Sequence, residues 1–188
     1  MLSPKRKTLL AVLFGLLGLL GLAALAAAYD WYLGRYQRTV LFDAADLRLP
    51  PGLEGPGPIR LVHFHDPACP CNVGNQQHLA ELAERYAPQG VTFHAVQRPG
   101  SRGRLPPALT ALQPLAALPG SEGLPGSPAL AIWDRQGRLA YFGPYSAGAT
   151  CTAANSFAEP VLDALLKGRP VRAGGTLAEG CFCAWQAP

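Results

Sequence analysis

Charge is scarce in this chain. Asp, Glu, Lys and Arg make up only 15% of its 188 residues, and the excess of 16 cations over 12 anions is local. Lys5, Arg6 and Lys7 account for all but one of it, leaving 13 cations against 12 anions elsewhere. Phosphate affinity comes from clustered cations, so no nucleic-acid partner is expected. A Gly-rich phosphate loop is missing after the first apolar strand, which sets aside a nucleotide site. Disorder throughout is set aside too, because hydrophobic residues form 49% of the chain. The length suits one ordinary domain plus extras, and 21 Gly with 19 Pro imply short elements and many loops.

Leu9 to Ala28 is a run of twenty residues without charge, rich in Leu, Ala and Gly. As a helix it measures about 30 Å, the thickness of the bilayer hydrocarbon core. The basic cluster at Lys5 to Lys7 precedes it. Positive-inside logic therefore puts residues 1–8 in the cytoplasm, residues 9–28 across the membrane and the remainder outside. A cleaved signal peptide ending at Ala26-Ala27-Ala28 is the rival reading. Either way the body of the protein lies outside the cytoplasm, and the expected location is the inner membrane of a bacterium with the C-terminal domain in the periplasm.

That compartment changes how the cysteines read. Cys69, Cys71, Cys151, Cys181 and Cys183 all lie beyond the apolar run, where disulfides persist. Their number is odd, and two bridges among five cysteines allow fifteen pairings, all left open by the sequence.

Residues 29–58 form an approach segment with a short strand at Thr39 to Phe42, followed by Pro/Gly breaks. Ile59 to His65 reads as a strand, His78 to Tyr86 as a helix with apolar residues at helical spacing, and Val91 to Val96 as a second strand. This is a βαβ unit. Pro106 to Leu118 reads as a modest helix. Ala129 to Trp133 and Leu139 to Phe142 flank the turn signal Asp134 to Gly137. Ser156 to Lys167 reads as the last helix, with Ser156 and Glu159 at capping-box spacing and Gly168 as terminator.

Val62-His63-Phe64-His65-Asp66-Pro67-Ala68-Cys69-Pro70-Cys71 resembles the strand-to-helix junction of thioredoxin-like proteins. Ser127-Pro128 before Ala129 resembles that family's cis-proline loop, and Asp134 to Gly137 its hairpin. The resemblance covers about residues 59–167, with residues 168–188 as a tail carrying Cys-x-Cys. It implies an α/β fold of three layers, with a central mixed sheet and helices on both faces. More narrowly, Asp-Pro-x-Cys-Pro-Cys-Asn, Phe-Gly-Pro-Tyr-Ser and the terminal Gly-Cys-Phe-Cys-x-Trp resemble a bacterial membrane-anchored family known only as a domain of unknown function.

The resemblance implies thiol–disulfide exchange on exported cysteine-containing proteins or with a redox partner, without a cofactor. Cys69 is then the nucleophile, Pro128 pairs the client backbone, and His63 stands where thioredoxins keep a proton-moving acid. Cys69 as N-cap with Pro70 at the first helical position also makes physical sense, since a helix start favours a thiolate. The spacing departs from the family: Cys-Pro-Cys replaces Cys-x-x-Cys, and Asn72 takes the second cysteine's place. Residues i and i+2 do not share a helix face, so a Cys69–Cys71 bond closes a strained ring. Resolution by Cys71 or by Cys151 stays open.

Cys151 follows the last strand by a short loop, on the edge that carries the motif. The thirteen residues between Lys167 and Cys181 span up to about 45 Å, so Cys181 and Cys183 can return to form a relay or a structural bridge, including Cys151–Cys181. Two alternatives to exchange remain. Cys69, Cys71 and His65 offer a soft ligand set for copper or zinc. The third reading is a non-catalytic interaction domain stapled by disulfides.

Overall fold

The computed structural model describes residues 3–43, 46–148 and 151–186. The chain divides into two compact units, Met1–Gln37 and Arg38–Pro188.

The first unit is helix α1, Pro4–Leu33, closed by a 3₁₀ turn at Gly34–Tyr36. No residue of α1 is buried, and its leucines point outward on every side. A helix apolar all round suits hydrocarbon rather than water. An 18-residue stretch within it has a mean hydropathy of 2.6, so the helix is long and apolar enough to cross a membrane, a property shared by signal sequences.

The second unit is built on a mixed sheet. Its strands are β2 (Ile59–His65), β3 (Val91–Gln97), β4 (Gln113–Leu115), β5 (Ala129–Trp133) and β6 (Leu139–Gly143). Their order is β4-β3-β2-β5-β6. β2 and β3 run parallel, Ile59 opposite Val91, and are joined through helix α2, Val73–Tyr86. β5 pairs antiparallel with β2, His63 opposite Leu130, and β6 antiparallel with β5. The β5–β6 turn forms where the sequence places it. Asp134 Oδ1 accepts the Gln136 and Arg138 amides, and Gly137 takes φ 77°, which favours glycine.

Every residue of β2 is buried, as expected of a central strand covered on both faces. Ile59 and Leu61 join a core with Leu79, Leu82 and Tyr86 of α2 and with Leu162 and Leu165 of helix α3, Ala158–Leu166. Arg85–Glu159 at 2.9 Å and Tyr86–Asp163 at 2.8 Å tie the two helices. The helix starts later than Ser156, with Phe157 at its N-cap and no side-chain cap there, although the Ser156 hydroxyl still accepts the Glu159 amide at 3.3 Å.

Val62 and Phe64 alternate onto the other face, where the covering layer is a second sheet rather than a helix. It pairs β1 (Gln37–Phe42) with β7 (Thr176–Cys181). Val40, Phe42, Leu47 and Leu49 from the approach segment meet Ala178, Phe182 and Trp185 from the tail in this core. The compact body thus takes in residues that the sequence alone sets outside a domain at 59–167.

The helix expected over Pro106 to Leu118 is corrected. A 3₁₀ turn at Pro107–Leu109 leads instead into β4, parallel to β3 at the sheet edge. Pro114 sits inside β4. Within a helix it would delete a backbone bond and clash with the preceding turn, whereas an edge strand tolerates it.

Candidate functional site

The last residue of β2, His65, is followed by an Asp66-Pro67 break that turns the chain toward α2. Asp66 Oδ1 accepts the Ala68 amide at 3.0 Å, and the Asp66 carbonyl accepts the Cys69 amide at 2.8 Å. This leaves Cys69 in extended conformation at the head of the 3₁₀ turn Pro70–Asn72, which continues into α2. Pro70 occupies the first helical position, as the sequence implies.

The cysteines pair across the molecule. Cys69 bonds Cys183, and Cys71 bonds Cys181, with Cα separations of 6.0 and 5.4 Å. Neither a Cys69–Cys71 ring nor a Cys151–Cys181 bridge forms. The sulfurs of Cys69, Cys71 and Cys183 lie within 4.8 Å of one another. His65 is outside that group, so the ligand trio expected from the sequence is not the one the fold assembles.

Ser127 completes the centre. The Ser127–Pro128 bond is cis, and Ser127 exchanges two backbone hydrogen bonds with Cys183, at 2.9 and 2.8 Å. Its carbonyl oxygen lies 3.7 Å from Cys69 Sγ. The backbone beside Pro128, where the resemblance places a client, is occupied by the protein's own tail.

Cys151 is the free thiol and is buried. Its amide donates to the Gly74 carbonyl at 3.0 Å, so the chain does return to the first turn of α2. Its sulfur, however, donates to the Tyr145 carbonyl at 3.4 Å and belongs to the helix-side core. Burial pushes this thiol's pKa up, against the pull of hydrogen bonds from Ser146 and Ser156. It is placed and protonated like a core cysteine rather than a resolving one.

His63 and His65 stack at 5.1 Å between ring centres on the helix side of β2. Burial, with His65 close by, pushes His63 down to about 3, although a bond to the Ala129 backbone opposes this. Tyr145, held well above its ordinary pKa by burial, keeps its proton and shares a 2.6 Å hydrogen bond with His63 Nδ1. A ring fixed neutral this far below physiological pH is poorly matched to proton transfer near pH 7.

Sequence reasoning missed the group that seats the tail. Arg98 Nε donates to the Trp185 carbonyl at 2.8 Å, and its guanidinium pairs with Asp66 at 2.7 Å. Trp185 itself packs edge-on against Phe64, with ring centres 5.8 Å apart. The buried aromatic in the terminal Cys-Phe-Cys-x-Trp string was the available signal.

A family model described as Domain of unknown function (DUF6436) matches residues 38–185. No curated protein matches the chain. Among the solved structures that resemble it are two uncharacterised proteins. A hypothetical protein from Sinorhizobium meliloti 1021 shares 22% identity at a TM-score of 0.53, over 80% of this chain and 100% of that one. An uncharacterized conserved protein from Geobacillus kaustophilus shares 18% identity at a TM-score of 0.55, over 80% and 96%. At these identities the likeness concerns the fold.

Proposed function

We propose that this chain, which belongs to the DUF6436 family, is a membrane-anchored thiol–disulfide exchange protein acting outside the cytoplasm on a thioredoxin-like scaffold. The scaffold reading is supported by the parallel β2–α2–β3 unit, the antiparallel β5–β6 hairpin beside β2 and the closing helix α3. The apolar run of α1 and the basic cluster in its first turns support the anchor and its orientation.

One observation carries the chemistry. Cys183 is disulfide-bonded to Cys69 at the start of a helical run while its backbone pairs antiparallel with Ser127. An exchange protein has to hold a client cysteine in this way: an extended segment, register fixed by backbone bonds, its sulfur joined to one at a helix start. In a turnover a client dithiol loses two electrons and two protons to one resident disulfide. The client becomes a disulfide, and the protein gains two thiols.

The test is to mix full-length oxidised protein in detergent with a reduced two-cysteine peptide and follow peptide disulfide by mass spectrometry. Stoichiometric transfer without denaturant is expected, and its loss when all four paired cysteines are replaced by Ser. If the native protein leaves the peptide reduced, the exchange reading is abandoned.

A second reading, copper or zinc binding by the reduced protein, is favoured by the proximity of Cys69, Cys71 and Cys183. Three thiolates that close suit a soft ion, and ligation and the disulfides exclude each other. Anaerobic copper(I) titration of the reduced chain tests it; a stoichiometric complex lost in Cys183→Ser supports it, and unbuffered weak binding rejects it.

A further inference from the structure

The four paired cysteines differ in residue exposure. Cys69, Cys71 and Cys183 are 5%, 3% and 8% exposed, whereas Cys181, at the end of β7, is half-buried. The backbone edge at Ser127 is closed to an incoming strand because Cys183 already fills it. Exchange begins only where a thiolate can reach a sulfur, and it runs faster when the sulfur expelled is the better leaving group. Cys71 lies in the 3₁₀ turn Pro70–Asn72 at the head of α2, among backbone N–H groups that favour a thiolate. Cys181 ends a strand and has no such support. Access and leaving-group strength therefore point the same way.

We infer that Cys181 is the sulfur a client attacks, and that the two disulfides form a relay in which Cys71 passes the change inward to Cys183. This deepens the exchange reading and rests on it. The client thiolate attacks Cys181 Sγ; a client–Cys181 bond forms, the Cys71–Cys181 bond breaks and Cys71 leaves as thiolate. Cys71 Sγ, within 4.8 Å of Cys183 Sγ, then attacks it. A Cys71–Cys183 bond forms, the Cys69–Cys183 bond breaks, and Cys69 leaves as thiolate at the head of the helical run. Attack on Cys69 instead would join residues i and i+2 in a small strained ring. The client's second thiolate finally attacks its own sulfur in the mixed disulfide and releases Cys181. The client dithiol is oxidised by two electrons; the protein keeps one disulfide, Cys71–Cys183, and holds Cys69 and Cys181 as thiols once two protons are taken up.

The test treats full-length oxidised protein in detergent with limiting glutathione, quenches with an alkylating reagent and maps each cysteine by peptide mass spectrometry. The relay expects glutathione on Cys181 first, followed by alkylated Cys69 with a Cys71–Cys183 bond. In Cys69→Ser/Cys183→Ser the adduct still forms on Cys181 and alkylation falls on Cys71 instead. A first adduct on Cys69, Cys71 or Cys183 overturns the relay while leaving exchange standing. So does alkylation of Cys71 with the Cys69–Cys183 bond intact in the parent protein. No adduct without denaturant overturns the relay and the exchange reading together.

Discussion

Arg98 and Asp66 meet at 2.7 Å directly under the tail, and the same guanidinium holds the Trp185 carbonyl. Both side chains are largely buried, so the pair is not a solvated surface bridge. It couples the loop that positions Cys69 to the segment that delivers Cys183.

Replacing Arg98 by Met keeps the apolar stem but leaves a buried carboxylate and a carbonyl without their partner. A loss of about 2–4 kcal/mol is expected in chemical denaturation. Amide exchange at residues 182–185 should quicken with it. A change below about 0.5 kcal/mol, the scale of an exposed pair, would show that the tail is seated by its aromatics alone.

The two disulfides are nested. Cys69–Cys183 spans 114 residues and Cys71–Cys181 spans 110. With one bond in place, the other closes only the short segments 69–71 and 181–183. Chain entropy then gives about 2 kcal/mol for losing either pair alone, but about 7 kcal/mol for losing both. Melting of the two paired-Ser variants and the fourfold variant reads this out. Single losses that sum to the whole would contradict it.

Acid should weaken the fold. All four histidines are buried, and burial lowers each of them below the ordinary value of 6.5; His63 goes to about 3. Between those limits the unfolded chain binds more protons than the folded one, so stability rises with pH. Stability is complete above about 6.5 and falls as the pH drops toward 3, with His63 contributing up to about 1.4 kcal/mol per pH unit. Flat stability from pH 7 to 4.5 would mean that these rings are not held neutral.

Tyr145→Phe separates structure from proton transfer. It leaves His63 Nδ1 without its 2.6 Å partner, which should cost about 1–3 kcal/mol. The rate of glutathione attack at pH 7 should stay within about twofold, since His63 does not titrate there. A tenfold loss of rate with normal folding would restore His63 as a proton mover.

The central elements were legible because their signals are local. Ile59 to His65 is β2 to the residue, and the Asp134 to Gly137 turn, the βαβ unit and α3 follow from spacing and caps. The stretch 106–118 misled because Leu109 and Leu112 are core residues at helical spacing, while Pro114 belongs to an edge strand. Strand β7 had no local signal: Thr176 to Cys181 is Gly-containing and only half apolar, and it becomes a strand by pairing with β1. The cysteine partners were equally hidden. Nothing near Cys69 in sequence specifies Cys183; Phe182 and Trp185 packing against Phe42 and Phe64 fixes the register that brings the sulfurs together.

Because each bridge joins residues more than a hundred positions apart, synthesis meets an awkward order. Delivered N-terminus first, Cys69 and Cys71 arrive without partners, and the first further thiol to follow is Cys151, which is unpaired in the folded structure. An oxidant acting on the growing chain would thus trap mispaired rings. Correct linkage has to wait until Cys181 and Cys183 have been made, so the domain is locked only after the hundred-odd residues between the partners have emerged.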